Sequence, residues 1–294
     1  MEHVDIGSIS VDCVPETAGP LLHAQKFFPD LTDEMFEAAR RELPPGNLTA
    51  DGEVILSFHS YLVRTERYNI LVDSCCGNGK SRPHRPSFSN LNTNYLDTLA
   101  AAGCRPEDID FVLCTHLHWD HVGWNTQLLN GEWVPTFPNA KYVMSRREYD
   151  YWNDHYARDP ANVHRAAFED SVQPLVRAER AALVDESFEF DNGIWLEPCF
   201  GHTPGQVVMN VSSGGQAGVM CGDVIHHRIQ LAEPQLTCLA DTDQAMARES
   251  RRLLMEKHAD TGNLVFPAHF PAPTFGALTS KANGRRFSLS ADHE

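Results

Sequence analysis

The sequence predicts an α/β domain with helices outside a sheet core, on three observations. Apolar runs of strand character recur along the chain, several of them close on a small residue followed by a polar side chain, and stretches of helical periodicity lie between them. Residues 53–64 and 68–73 are the first two strands, and the second ends in Asp73 ahead of the turn Ser74-Cys75-Cys76-Gly77-Asn78-Gly79. A strand that ends in a carboxylate and a glycine turn sets that carboxylate at a sheet edge. Residues 108–115 form a buried strand that delivers a histidine cluster at its carboxyl end. The same arrangement recurs at 193–202, 217–223 and 263–269, ending in His202, Asp223 and His269. Helical stretches are expected at 92–102, 145–155, 162–182 and 241–259.

Ahead of this core, residues 32–43 read as a helix. Thr32 is the capping residue, acids occupy the first turn, Met35, Phe36 and Ala39 fall at helical spacing, and Pro44-Pro45 stops it. The chain therefore divides into an N-terminal extension with one helix, residues 1–50, and a single main domain, residues 51–294.

At 294 residues, with 42% hydrophobic and 22% charged residues, the composition is that of a globular protein with a sizeable core. The balance of 24 Lys+Arg against 40 Asp+Glu gives a net charge of −16, which argues against nucleic acid as a partner because phosphate binding depends on clustered cations. Eight cysteines are scattered without the spacing of a disulfide framework or a structural zinc site, so they read as reduced thiols. No basic leader opens the chain and no apolar run reaches membrane-spanning length, so no membrane partner is expected and a cytoplasmic location is.

The most informative segment is Thr115-His116-Leu117-His118-Trp119-Asp120-His121. Four good metal donors fall within six residues, and a His-x-His-x-Asp-His run can serve one metal with its first pair and another with its last. Taken singly, His202, Asp223 and His269 have ordinary structural explanations. Together with the cluster they bring the donors to about the seven that two metals in one site require.

The order Asp73, then His116-x-His118-x-Asp120-His121, then Gly201-His202-Thr203-Pro204-Gly205, then Gly222-Asp223, then His269 resembles the five motifs of the metallo-β-lactamase-fold hydrolases. The resemblance covers roughly residues 53–269 and implies an αββα sandwich of two mixed sheets, with a metal centre at one edge. It implies His116, His118 and His202 on one metal, Asp120, His121 and His269 on the other, and Asp223 bridging both. Asp73 matches the motif whose carboxylate orients a ligand histidine. Two Zn2+ ions are implied as cofactors, although Mn, Fe or Co suit the same donors. In such centres a bridging hydroxide attacks the substrate, and Asp120 is placed to carry a proton to the leaving group.

Within the superfamily, His118 and Asp223 favour a dinuclear hydrolase over the oxygen-chemistry branches and over the β-lactamases themselves. The acidic charge and the short 223–269 interval disfavour the nucleases. The long segment ahead of the first strand disfavours the glyoxalase II type of thioesterase. What remains resembles the N-acyl homoserine lactonases and methyl parathion hydrolase. The best-known lactonases have a tyrosine three residues after the bridging aspartate, whereas this chain has His226. That histidine, the N-terminal extension, and the segments after His269, Gly284-Arg285-Arg286-Phe287 included, look more like methyl parathion hydrolase and its lactonase relatives. The expectation is a hydrolase of a small hydrophobic ester or lactone, quorum-quenching lactones among them, with His226 assisting catalysis. An organophosphate triesterase, a thioesterase and a non-catalytic metal-binding regulator are the alternatives. Trp119 and Phe270 are expected at the rim of the substrate pocket, and the resemblance also implies a homodimer. His227 has no case beyond adjacency.

Overall fold

The computed structural model describes residues 1–281 and 286–290. Gly284 and Arg285, singled out in the C-terminal motif, lie outside the described residues. In chain order the elements begin with β1 (His3–Ile6), β2 (Ile9–His23), α1 (Ala24–Phe27), α2 (Asp33–Glu42), β3 (Glu53–Arg64), β4 (Asn69–Val72), α3 (Tyr95–Ala101) and β5 (Phe111–Cys114). They continue with β6 (Thr126–Leu129), β7 (Glu132–Pro135), β8 (Lys141–Ser145), α4 (Arg146–Arg158), α5 (Arg165–Ser171), α6 (Gln173–Arg177) and β9 (Ala181–Val184). The last are β10 (Glu189–Asp191), β11 (Ile194–Pro198), β12 (Val207–Ser213), β13 (Gln216–Gly222), α7 (Ile229–Ala232), α8 (Gln244–His258), β14 (Leu264–Pro267), β15 (Gly276–Lys281) and β16 (Arg286–Ser290).

Two compact units make up the chain: Met1–Thr17 with Phe58–Phe188, and Ala18–Ser57 with Glu189–Glu294. One seven-stranded sheet runs β1-β2-β3-β4-β5-β8-β9, the other β10-β11-β12-β13-β14-β15-β16. Both are mixed. In the first sheet β3 and β4 are antiparallel, while β4, β5, β8 and β9 are parallel. In the second, β13 and β14 are the parallel pair among antiparallel neighbours. Parallel strands with both faces covered read as continuous apolar runs, and Phe111-Val112-Leu113-Cys114 and Leu264-Val265-Phe266-Pro267 do so.

The core of the first unit gathers Leu62, Leu71, Val112, Tyr142 and Met144 from its strands with Leu99, Phe168 and Leu175 from its helices. In the second unit Val208, Val219 and Val265 pack with Leu254 and Met255 of α8. Among the described residues no helix is long and apolar enough to cross a membrane.

The N-terminal helix begins as expected, with the Thr32 hydroxyl accepting from Met35 N–H at 3.3 Å and Arg40 and Arg41 in the last turn facing the helix dipole. The strands β1 and β2 ahead of it were not expected, although Val4-Asp5-Ile6 and Ile9-Ser10-Val11-Asp12-Cys13 alternate apolar and polar side chains as a half-buried strand does. The expected single helix over 162–182 is instead α5, α6 and β9. Pro174 lacks the N–H that would continue α5, and Glu179, with φ of 55°, turns the chain into the strand.

Candidate metal centre

Two pairs of parallel strands place the predicted residues. In the first unit, Val72 of β4 is opposite Leu113 of β5, so Asp73 and the Thr115–His116 step leave the same sheet edge side by side. In the second, Gly222 of β13 is opposite Pro267 of β14, so Asp223 and His269 leave one edge together. The carboxyl ends of parallel strands are where α/β folds present their binding groups.

Asp73 organises the first unit's candidate donors. Its Oδ1 accepts from Thr115 N–H at 2.8 Å, and its Oδ2 accepts from the Thr115 hydroxyl and from His121 Nδ1–H, both at 2.8 Å. With its proton committed to Asp73, the Thr115 hydroxyl accepts from His116 Nδ1–H at 3.2 Å. One carboxylate thereby fixes two imidazoles in the tautomer that leaves Nε2 as a lone pair. His116 Nε2 lies 3.1 Å from His118 Nδ1, and Asp120 Oδ1 lies 4.0 Å from His121 Nε2. The loop is held from outside as well. Buried Glu148 of α4 accepts from Leu117 N–H at 3.1 Å and from Trp152 Nε1–H at 2.6 Å, and the Trp152 ring lies 5.6 Å from that of His118.

A second clamp follows His121. Glu16 accepts from Cys76 and Gly77 N–H and from Trp124 Nε1–H, at 2.7, 3.1 and 2.6 Å, tying the loop after Asp73 to the segment after His121. Gly123 is required there, because a Cβ on it would lie 1.9 Å from the Cys76 carbonyl oxygen. Burial pushes the Glu16 carboxyl up, although the donors around it pull the other way.

The second unit's candidate donors are centred on Asp223, which is 4% exposed. His202 Nε2 and His226 Nε2 lie 3.3 and 3.2 Å from its Oδ2, and His269 Nε2 lies 3.1 Å from its Oδ1. The three imidazoles are not equivalent. His269 Nδ1 faces the Ser57 carbonyl oxygen at 3.0 Å, which can only accept, so Nδ1 carries the proton and Nε2 presents a lone pair to Asp223. His202 Nδ1 likewise donates to Asp241 Oδ1 at 2.9 Å. Burial pushes the Asp241 carboxyl up, but His202, His226 and Arg251 more than offset this and hold it at about 2, so it is an acceptor at neutral pH. By contrast, His226 Nδ1 is buried with no hydrogen-bond partner among the described residues, which assigns its proton to Nε2 and makes it a donor to Asp223. Burial pushes the His226 imidazole down and keeps it neutral, against the pull of Asp223.

Two lone pairs aimed at one buried carboxylate at 3.1 and 3.3 Å repel one another and the carboxylate unless a cation is shared among them. The donor set of this unit, one carboxylate and two imidazoles pinned by acceptors behind them, fits a divalent metal with nitrogen and oxygen preference. His226 differs: its N–H points where a ligand needs a lone pair.

Gly201, with φ of 127°, brings His202 into place by passing so close to α8 that a Cβ on it would meet Ala247 N at 2.1 Å. Fully buried Arg251 of α8 braces the segment beyond Asp223, donating to Val224 O at 2.7 Å and to Pro234 O at 3.0 Å. Cys238 sits with its sulfur 3.4 Å from His226 Nε2 and its N–H donating to Asp241 Oδ2 at 2.9 Å.

Of the remaining predicted residues, Trp119 is packed between Phe58 and Phe88, with the Arg85 guanidinium 5.3 Å from its ring centroid. Phe270, expected at a pocket rim, is instead fully buried in the second unit's core under Arg228, because the chain after His269 turns inward. His227 is structural: it bonds the Asn47 carbonyl at 2.9 Å and accepts from Ile229 N–H, and burial lowers it to about 4. All eight cysteines are buried, and none is in a disulfide among the described residues. Sequence reasoning missed Glu16, Glu148 and Asp241, single acids far in sequence from the side chains they hold.

Comparison with known proteins identifies the family and the fold. The pattern of the metallo-beta-lactamase superfamily matches residues 59–269. A protein of Mycobacterium tuberculosis named as a probable metallo-hydrolase is 23% identical, over 87% of this chain and 91% of its own. The crystal structure of AbOPH, a hydrolase in the beta-lactamase superfamily, superposes with a TM-score of 0.82 at 23% identity, covering 99% of this chain and 97% of that one. AidC, a dizinc quorum-quenching lactonase solved with the product N-hexanoyl-L-homoserine, gives 0.81 at 22% identity over 100% and 98%. The mixed sheets flanked by helices are those of the metallo-β-lactamase fold, and the relatives and structural neighbours are metallo-hydrolases, lactonases among them. This chain belongs to the metallo-β-lactamase superfamily.

Proposed function

We propose that the protein is a dinuclear zinc hydrolase of a lactone or other carboxylic ester, with His116, His118, Asp120, His121, His202, Asp223 and His269 as the metal ligands. The observation that carries the reading is the pair of pinned imidazole lone pairs, from His202 and His269, directed at buried Asp223. Bound by these residues, two divalent cations supply Lewis acidity and make water a usable nucleophile at neutral pH. The protein's own groups do the rest. Asp73, Asp241 and the Ser57 carbonyl keep the ligand histidines in the metal-binding tautomer. With Asp223 taken up by the metals, the His226 Nε2–H that faces it is released to supply a hydrogen bond to a developing oxyanion or a proton to a leaving oxygen, and Asp120 is the second proton carrier.

Lactone or carboxylic ester is favoured over phosphotriester because the product-bound lactonase AidC aligns over the whole of this chain. Assays of zinc-loaded protein against N-hexanoyl homoserine lactone, phenyl acetate and paraoxon separate the two. Turnover of the first two, with paraoxon slower, is expected; turnover of paraoxon alone makes the protein a triesterase, and turnover of none removes the hydrolase reading.

A further inference from the structure

Beside the Trp119–Asp120 loop the first unit carries a cationic group that no acid answers. Arg85 lies over the Trp119 ring, its Nε is buried with no hydrogen-bond partner, and among the described residues no carboxylate is within ion-pair distance of it. In a chain with 40 acids against 24 Lys+Arg, that is unusual company for a half-buried guanidinium. Its neighbour is a pair of imidazoles, His84 and His164, packed edge to face with centroids 4.7 Å apart. His84 Nε2 is likewise buried without a partner. Burial, with Arg85 and Arg82 nearby, lowers His84, and burial with His84 and Arg85 lowers His164 to about 4, so both are neutral at pH 7, each with one N–H to donate and a tautomer that an incoming anion can set.

The placement is braced: Arg82, fully buried, grips Asp170 with two hydrogen bonds of 2.7 and 2.9 Å, and Arg85 N–H donates to Arg82 O at 2.8 Å. On its other side His84, but neither Arg85 nor His164, lines a cavity of about 810 Å³ with Asn162, Arg165 and Glu169. The charge of Asp120 is felt at His164, which sets the pair close to the metal-binding loop.

We propose that Arg85, with His84 and His164, is a carboxylate-binding subsite, so that the substrate is an ester or lactone bearing a carboxylate away from the scissile bond. A planar guanidinium backed by an aromatic ring and flanked by neutral N–H donors matches a carboxylate in charge and in shape. The inference rests on the hydrolase reading for its word substrate, but binding at the subsite is testable without turnover.

The test pairs phenyl acetate with the monophenyl ester of glutaric acid, and pairs wild type with Arg85→Met, which keeps the stem on Trp119. Unchanged circular dichroism and metal content establish that the variant folds. The expected result is a KM for the glutarate ester raised at least about tenfold, in keeping with loss of a charge-assisted contact, with kcat and all phenyl acetate kinetics within about twofold. Equal changes for both esters overturn the proposal. Calorimetric titration with glutarate supplies the independent arm: about tenfold weaker binding in Arg85→Met supports the subsite even if neither ester is hydrolysed, in which case the hydrolase reading alone falls. Identical glutarate affinity in both proteins overturns the subsite whatever the hydrolysis shows.

Discussion

His269 Nε2 faces Asp223 Oδ1 at 3.1 Å while the opposite ring nitrogen is held by the Ser57 carbonyl at 3.0 Å. A carbonyl cannot donate, so a neutral His269 must point a lone pair at a carboxylate. On the proposed function a shared cation resolves that conflict, which arises from strand pairing: β13 and β14 run parallel and end together, so the residues that follow them are forced into contact.

Asp73 fixes His121 directly and His116 through the Thr115 hydroxyl. Asp73→Asn keeps the shape and exchanges an acceptor for a group that can donate. Zinc affinity measured by chelator competition should fall about 10- to 100-fold, as for other outer partners of metal-binding histidines, with the fold intact. An unchanged affinity would show that the tautomers are set some other way.

His226 and the two pinned histidines surround the same carboxylate but hold their protons differently. His226→Ala should therefore retain metal while kcat for an ester or lactone drops about 100-fold, the size of a lost oxyanion donor or proton carrier. Full activity would remove His226 from the mechanism, and loss of metal would make it a ligand.

Asp241 is ionised in the folded protein down to about pH 2, against an ordinary value of 3.8. A depressed carboxyl stabilises the fold above its unfolded value, and that stability is lost as pH falls from about 4 through about 2, where the unfolded chain takes up the extra proton. Asp241→Asn should show up to about one proton less taken up on unfolding across this window, read from the pH dependence of urea midpoints. The same variant should bind zinc more weakly through His202.

Gly201 has no room for a side chain, since a Cβ would overlap Ala247 N at 2.1 Å. Gly201→Ala should destabilise the protein on the order of 2–3 kcal/mol by thermal or urea unfolding and displace His202, lowering metal content as well. Wild-type stability in this variant would mean that the loop and α8 separate freely.

Much of this was legible in the sequence. The strands that end in the proposed ligands announce themselves because an apolar run, a small residue and a polar terminus are all local signals, and β3 falls where its run predicts, at Glu53–Arg64. The same local signals marked His202, Asp223 and His269 as candidates. Partners that act across the chain were not: Glu148 meets Leu117 from 31 residues away, Asp241 meets His202 from 39, and nothing around either acid marks it. Phe270 was misread because proximity in sequence to His269 says nothing about direction, and its ring turns into the core. Two local signals were overlooked: Pro174, which divides α5 from α6, and the alternation at Ile9-Ser10-Val11-Asp12-Cys13 that opens β2.

The central claim is that Asp223 is the shared carboxylate of a two-metal centre, and metal stoichiometry tests it most directly. Elemental analysis of wild type and Asp223→Ala, both purified in zinc and shown to be folded by circular dichroism, should give two equivalents of metal for wild type and fewer in the variant, together with loss of ester and lactone turnover. Two equivalents in Asp223→Ala, or none in active wild type, would contradict the account.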